Sequence, residues 1–258
     1  MEQMKTKGLI LKTVNLNDND RIFTVLTADS GKITVMAKGI RSQKHKCFAA
    51  MQQFCYSEFV FERRTGMYFP VEARVIESFY NLRNSVEKLA LAAYITDIVN
   101  AVPEEFPVED EYFSFILNTL FLLAKADVDR QGMTELFRLK AIFELKTVCE
   151  NGFMPEVTKC ECCGGGKNIE LFVITIGRVI CSDCKEKPIN CDTVSIDADI
   201  QKSLYAICCS DMRAALGVRP SASVCRRLSD IGELYLKNQM EIYLTSLDYL
   251  KNLICKDV

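Results

Sequence analysis

The chain has 258 residues, 49% of them hydrophobic, and 32 Lys and Arg stand against 34 Asp and Glu. That length predicts two or three small domains with a sizeable core, and a net charge of −2 identifies no partner when taken over the whole chain. The cysteine count, 13, is odd, residues 1–8 hold no apolar export segment, and no run approaches a transmembrane length; a disulfide framework and a membrane span are therefore not expected, and free thiols in a reducing cytoplasm are.

Residues 5–78 read as β. The runs 8–14, 21–27, 33–38, 54–63 and 67–77 are rich in Ile, Val, Thr, Phe and Tyr, and turn signals separate them at Asn17-Asp-Asn-Asp20, Asp29-Ser-Gly31 and Arg64-Thr-Gly66. Five short strands with no crossover helix suggest a small barrel of the OB type or an SH3-like barrel. A longer segment, residues 39–53, joins the third strand to the fourth.

That segment carries the charge. Lys38, Arg41, Lys44, His45 and Lys46 fall within nine residues, and no acid occurs between Asp29 and Glu58. Residues 1–80 hold 12 Lys and Arg and 8 Asp and Glu, net +4, which leaves 20 and 26, net −6, for the rest. Charge is segregated, and the barrel is the basic part. A basic loop beside a barrel suits nucleic-acid phosphate, and Phe23, Phe54, Tyr56 and Phe59 are either stacking surfaces or core.

From Asn81 the period becomes helical: Leu82, Val86, Leu89, Ala90, Ala93, Tyr94 and Ile98 recur at three-to-four spacing, with Pro103 and Pro107 expected to end the run. A second helix is expected over 110–127, apolar over most of its circumference and so central to a bundle. A third is expected over 133–150, stopped by Asn151-Gly152 and Pro155. Helices resume over 198–209, 221–231 and 232–255.

Between them lies Cys160-Glu-Cys-Cys163-Gly, then Cys181-Ser-Asp-Cys184, with 17 residues between the two pairs. The interval reads as a turn and a β-rich hairpin. Four thiolates in two knuckles are what tetrahedral zinc needs, and Gly164 permits the tight backbone after the second ligand. With Cys160, Cys163, Cys181 and Cys184 closing the shell no place is left for water, so the ion is structural. Cys162 is either a spare or a substitute for Cys160 or Cys163. A redox pair and accidental buried thiols are the competing readings.

The inventory argues against an enzyme. His45 is the one histidine, so His-based metal triads and His-Glu-x-x-His are absent, and a Ser-His-Asp set lacks a context. Gly31-Lys32 is followed by Ile and Gly166-Lys167 by Asn, so neither makes a P-loop.

The stretch from Asp20-Arg-Ile-Phe through Leu26-Thr, Gly31 and Ala37-Lys-Gly-Ile-Arg41, then Met51-Gln-Gln-Phe54, resembles the N-terminal signature of the RecO family of bacterial recombination mediators. The later run from Phe137-Arg-Leu-Lys through Gly152-Phe-Met-Pro155 into the two knuckles is similar to the same family, as is the stretch from Leu236 to Leu250. The chain departs from the family at Asn17-Asp-Asn-Asp20, where Gly-Glu is common, at His45, and at Ile176-Gly-Arg before the third cysteine.

The resemblance implies an α+β fold: an N-terminal OB-fold barrel (1–80), a helical domain (81–154 and 191–258) and an inserted four-cysteine zinc knuckle (155–190). It implies a cytoplasmic, ATP-independent DNA repair protein that binds single- and double-stranded DNA and anneals complementary strands. It further implies partnership with RecR, docking to the C-terminal tail of single-stranded DNA-binding protein, and loading of RecA at gaps. Lys38 and Arg41 match the family's basic loop; Lys44 and Lys46 join them on charge alone. Cations for the acidic tail are available at Arg213, Arg219, Arg226 and Arg227. The competing class is a zinc-containing protein–protein adaptor whose barrel is scaffold only.

Overall fold

The structure, a computed structural model, describes residues 2–102, 110–128, 132–185 and 191–254. It opens with β1 (Glu2–Asn15), β2 (Arg21–Thr27), β3 (Gly31–Ala37), β4 (Tyr56–Arg64) and β5 (Met67–Glu77). These close into a barrel in the order β1-β2-β3-β5-β4. All pairs are antiparallel except β3 with β5, which meet in parallel at Val35 and Tyr68. This is the OB-type alternative of the two barrels expected.

Alternation builds the interior. Phe23, Val25, Val35, Phe59 and Phe61 point inward and are fully buried, and the rings of Phe59 and Phe61 stack at 4.9 Å. Residues between them face out, as period two requires. β1 starts earlier than its composition suggests. Glu2–Leu9 pair with β4 and Gly8–Asn15 with β2, and an irregularity between Ile10 and Lys12 falls within the second of these ladders. Residues 2–7 carry few apolar groups, so the pairing and not the pattern makes them strand.

A 3₁₀ turn (Tyr80–Asn84) leads to α1 (Val86–Ala101), whose first turn is capped by the Ser85 hydroxyl accepting from the Lys88 N–H at 3.3 Å. Then come α2 (Asp110–Lys125), α3 (Thr134–Glu150), four short strands, α4 (Ala198–Cys208), α5 (Met212–Gly217), α6 (Ala222–Met240) and α7 (Thr245–Ile254). The expected helix stops Pro103 and Pro107, and the expected helix end at Cys255, lie outside the described residues.

Two compact units result: Met1–Ala124 with Leu244–Val258, and Lys125–Tyr243. In the first, α1 packs on α7. The Lys32 ammonium donates to the carbonyls of Val99 (3.0 Å), Asn100 (3.1 Å) and Val102, answering the open C-terminal carbonyls of α1. Lys88 donates to the Ala124 carbonyl at 3.3 Å and so ties α1 to α2.

In the second unit the enclosed helix is α3, where residues 136–148 are buried on every side. The reading of α2 as the central helix is thereby corrected: α2 keeps Phe121 and its charged positions outward. Charged residues hid the burial of α3. Its three long cations are enclosed, and they end on carbonyls of neighbouring segments. Arg138 reaches Leu216 (2.9 Å) and Val218 (3.2 Å), Lys140 reaches Ser229 (3.0 Å), and Lys146 reaches Ser210 (2.9 Å). Arg138 and Lys146 thus stand just past the C-termini of α5 and α4, where a cation is favoured.

The break expected at Gly232, between helices 221–231 and 232–255, does not occur. α6 runs through Gly232 and ends at Glu241, which is left-handed (φ 52°). Gly232 serves close packing: a Cβ there would lie 2.9 Å from Glu144 Oε2 and 3.4 Å from Glu144 Cβ on α3. Gly232→Ala sets a helix-propensity gain of about 1 kcal/mol against overpacking of about 1–3 kcal/mol. Net destabilisation is expected, read as a lower denaturant midpoint. A rise in the midpoint would mean that α3 and α6 separate at little cost.

Candidate metal centre and nucleic-acid interface

The strands β6 (Glu156–Cys160), β7 (Ile169–Val173), β8 (Arg178–Cys181) and β9 (Thr193–Ser195) form a sheet in the order β6-β8-β7-β9. The first and third end on cysteines, and the parallel pairing of β6 with β8 sets Cys160 opposite Val179, two residues before Cys181. The turn after each strand then brings in the second ligand of its pair. Gly164, at φ 73°, donates its N–H to the Cys160 carbonyl at 2.8 Å, and the Cys184 N–H reaches the Cys181 carbonyl at 3.1 Å. The hairpin of β7 and β8 matches the expected β-rich interval, and β9 extends the sheet past residue 190.

The sulfurs of Cys160, Cys163, Cys181 and Cys184 all lie within 4.8 Å of one another. Cys163 and Cys181 are 3.7 Å apart, against an edge of about 3.8 Å for a tetrahedron with metal–sulfur bonds of about 2.3 Å. Cys162 is exposed and lies outside the cluster. Cys160 and Cys184 do not ionise alike. Burial opposes charge on Cys160, yet backbone N–H groups of Cys181, Cys163 and Cys162 prevail and bring it down to about 6. Burial, then the neighbouring thiols, pushes Cys184 up to about 12. A bound cation supplies the charge that lets all four be thiolates, and the donor set fits a metal ion.

The module is anchored from α6. The Tyr235 ring meets Phe172 edge-on at 5.4 Å, and its hydroxyl donates to the Phe153 carbonyl at 2.9 Å. The Gln239 amide donates to the carbonyls of Ile174 (2.9 Å) and Thr175 (3.1 Å).

The basic segment is a chain of turns whose apolar residues pack into the barrel core. Ile40, Cys47, Ala50 and Met51 sink into the barrel core. N–H groups of Ser42, His45 and Phe48 close successive turns on the carbonyls of Gly39, Ser42 and His45. The apolar residues therefore fix which way the others face. Lys38, Arg41, Lys44 and Lys46 are all exposed, and none forms an ion pair among the described residues.

Its entry is fastened to the β1–β2 turn. Asp20 accepts from the Gly39 N–H at 2.8 Å, and the Arg41 N–H reaches the Asn19 carbonyl at 3.2 Å. The Asn17 side chain accepts from the N–H groups of Asn19 (2.9 Å) and Asp20 (2.8 Å) and donates to the Asp20 carboxylate at 3.0 Å. The Asn17 amide, then the Gly39 N–H, holds the Asp20 carboxyl below its usual value. Asn17 and Asp20 read in the sequence as a turn only; their role as anchors of the basic loop depends on a contact 19 residues away.

The aromatics divide. Phe23, Phe54 and Phe59 are buried, so they are core; Tyr56 is half-buried against Phe113, 5.8 Å between ring centroids. Of the arginines considered for an acidic tail, Arg219 turns back to the carbonyl of Leu216 (2.6 Å), Arg226 covers the Phe137 ring at 5.7 Å, Arg227 donates to the Ser195 carbonyl, and Arg213 is exposed. Among the described residues no helix is long and apolar enough to cross a membrane.

Fold and site define a class: an OB-type barrel with a cationic loop, followed by helices that carry a four-cysteine module. Residues 1–79 match the family described as Recombination protein O N terminal, and residues 83–248 match Recombination protein O C terminal. The chain belongs to the RecO family of DNA repair proteins. It is 33% identical over 254 residues to the DNA repair protein RecO of Acetivibrio thermocellus, with 98% of each chain covered. Against that of Caldicellulosiruptor saccharolyticus it is 27% identical over 252 residues, covering 97% of this chain and 99% of the relative. Against that of Alkaliphilus metalliredigens it is 33% identical over 182 residues, covering 70% and 72%.

Proposed function

We propose that this protein is an ATP-independent recombination mediator. It binds single- and double-stranded DNA, anneals complementary strands and helps load recombinase onto DNA coated by single-stranded DNA-binding protein. In this reading it works with RecR, and the helical region takes the acidic tail of single-stranded DNA-binding protein through its exposed arginines. The ion in the four-cysteine cluster is zinc, in a structural role. The observation that carries the reading is the set of four outward cations, Lys38, Arg41, Lys44 and Lys46, on a segment whose apolar residues are locked into the barrel. Outward cations on a fixed support are available to neutralise phosphates, and counterion release is the source of affinity.

The test is affinity for a single-stranded oligonucleotide across a salt series, wild type beside Lys38→Gln/Arg41→Gln/Lys44→Gln/Lys46→Gln. Each phosphate contact contributes roughly 0.7–0.9 to the slope of log affinity on log salt, so losing four flattens it by about 3. Unchanged slope with tight binding would move the DNA site elsewhere. No binding by wild type at low salt would overturn the reading and leave the adaptor.

A further inference from the structure

Two helix ends meet at a pair of thiols that the four-cysteine cluster does not use. Cys149 is the penultimate residue of α3, Cys208 is the last of α4, and the two helices pack on each other. Lys146 fixes the junction. It precedes Cys149 by three positions on α3, so the two side chains are neighbours on one face. Its ammonium donates at 2.9 Å to the carbonyl of Ser210, just past Cys208. Across this junction the Cys149 and Cys208 thiols are hydrogen-bonded to each other. Backbone bonds hold both ends: the Asn151 N–H reaches the Thr147 carbonyl at 3.2 Å, the Gly152 N–H the Cys149 carbonyl at 3.0 Å, and the Cys209 N–H the Tyr205 carbonyl at 2.9 Å. The buried Cys55 and Cys225, by contrast, spend their thiols on carbonyls of Ala49 (3.4 Å) and Pro220 (3.6 Å).

The two thiols are unlike. Cys208 is 0% exposed, whereas Cys149 is half-buried. A helix C-terminus is the unfavourable end for an anion, and the Glu150 carboxylate opposes charge on Cys149 as well. The hydrogen bond from Cys208 nevertheless outweighs burial, and together with the Lys146 ammonium it holds the Cys149 thiol below its ordinary value. The same contact, then burial, pushes Cys208 well above its own. The thiolate is the reactive form of cysteine, so Cys149 is the nucleophile of the pair and Cys208 the thiol that follows it.

We propose that Cys149 and Cys208 form a dithiol oxidation site whose oxidant is a hydroperoxide. With hydrogen peroxide, the Cys149 sulfur attacks one oxygen and the O–O bond breaks. Cys149 becomes a sulfenic acid, and the other oxygen leaves as water with the thiol proton. Cys208 then attacks the Cys149 sulfur. The S–O bond breaks, the S–S bond forms, and the hydroxyl leaves as a second water with the Cys208 proton. The thiol pair loses two electrons and the peroxide gains them. Cys149 and Cys208 bracket β6 to β9, so the disulfide closes the neck of the segment that carries the four-cysteine cluster.

The experiment treats the zinc-loaded full-length protein with hydrogen peroxide, blocks remaining thiols by alkylation and maps the cysteines by mass spectrometry, while a chromogenic chelator follows zinc release. A Cys149–Cys208 cross-link should form before zinc is released and be undone by dithiothreitol. It should raise the thermal midpoint by on the order of 5–10 °C. Cys208→Ala should stop at the Cys149 sulfenic acid, trapped by dimedone, with no rise in the midpoint, and Cys209→Ser should keep the cross-link. Linkage of Cys149 to Cys209 in its place overturns the proposal. So do disulfides among Cys160, Cys163, Cys181 and Cys184 that form ahead of the Cys149–Cys208 bond. Cys149 still alkylated at a peroxide concentration that has oxidised the exposed Cys162 overturns it too. The wild-type map decides the matter even if Cys208→Ala does not fold.

Discussion

Lys140→Met is expected to lower the stability of the protein by about 3–5 kcal/mol. Lys140 and Glu144 lie one turn apart on α3, 2.9 Å between Nζ and Oε1, and their side chains are 2% and 0% exposed. The same ammonium stands 3.4 Å from Glu233 on α6 and 3.0 Å from the Ser229 carbonyl. Removing it leaves the Glu144 carboxylate enclosed without this cation. Burial of a charge without its counterion costs far more than the pair contributes over an apolar replacement. The double variant Lys140→Met/Glu144→Leu should therefore recover most of the loss, the more so because Glu233 keeps Lys237 at 3.2 Å. Chemical denaturation of the three proteins checks this. A loss under about 1 kcal/mol for the single variant, the scale of an exposed pair, would mean that water reaches the site.

The second large effect concerns the metal. Apparent binding energies of small structural zinc sites are about 10–16 kcal/mol, more than four strands of three to five residues contribute by their own packing. We expect the purified protein to carry one equivalent of zinc. Cys181→Ser should carry almost none, and its thermal midpoint should fall on the order of 10 °C. Cys162→Ser keeps the full equivalent, because that thiol faces solvent outside the cluster. Zinc lost equally from both variants would mean that Cys162 takes part in the shell. A full equivalent in both would place the ion elsewhere. Because Tyr235 and Gln239 fasten the module to α6, the melting of the module should be felt in that helix and not in the barrel strands.

Much of this was legible from residue order alone. The barrel strands are legible from runs rich in Ile, Val, Thr, Phe and Tyr and from the turn signals between them. The four cysteines of the cluster are legible from spacing, and the cations from the absence of acids around them. What escaped depends on partners far along the chain. Residues 2–7 become strand because β4 lies beside them. Gly232 looks like a helix stop and is a point of contact with Glu144. The enclosure of α3 is hidden because its cations look like surface, whereas Arg138, Lys140 and Lys146 each end on a carbonyl inside. The helices group by packing, too: α1, α2 and α7 fall in one compact unit with the barrel strands.

That grouping has a consequence for how the protein is made. The chain leaves the first unit after Ala124 and re-enters it at Leu244. A ribosome adding about 5–20 residues per second needs on the order of ten seconds to traverse the stretch between. The barrel strands, all before residue 78, are free to close early, but the side of α1 that belongs to α7 stays bare until Leu247, Leu250 and Ile254 emerge. The second unit has by then left the exit tunnel entire. In the nascent protein the inserted unit is complete first, and the unit that begins the chain is finished after it.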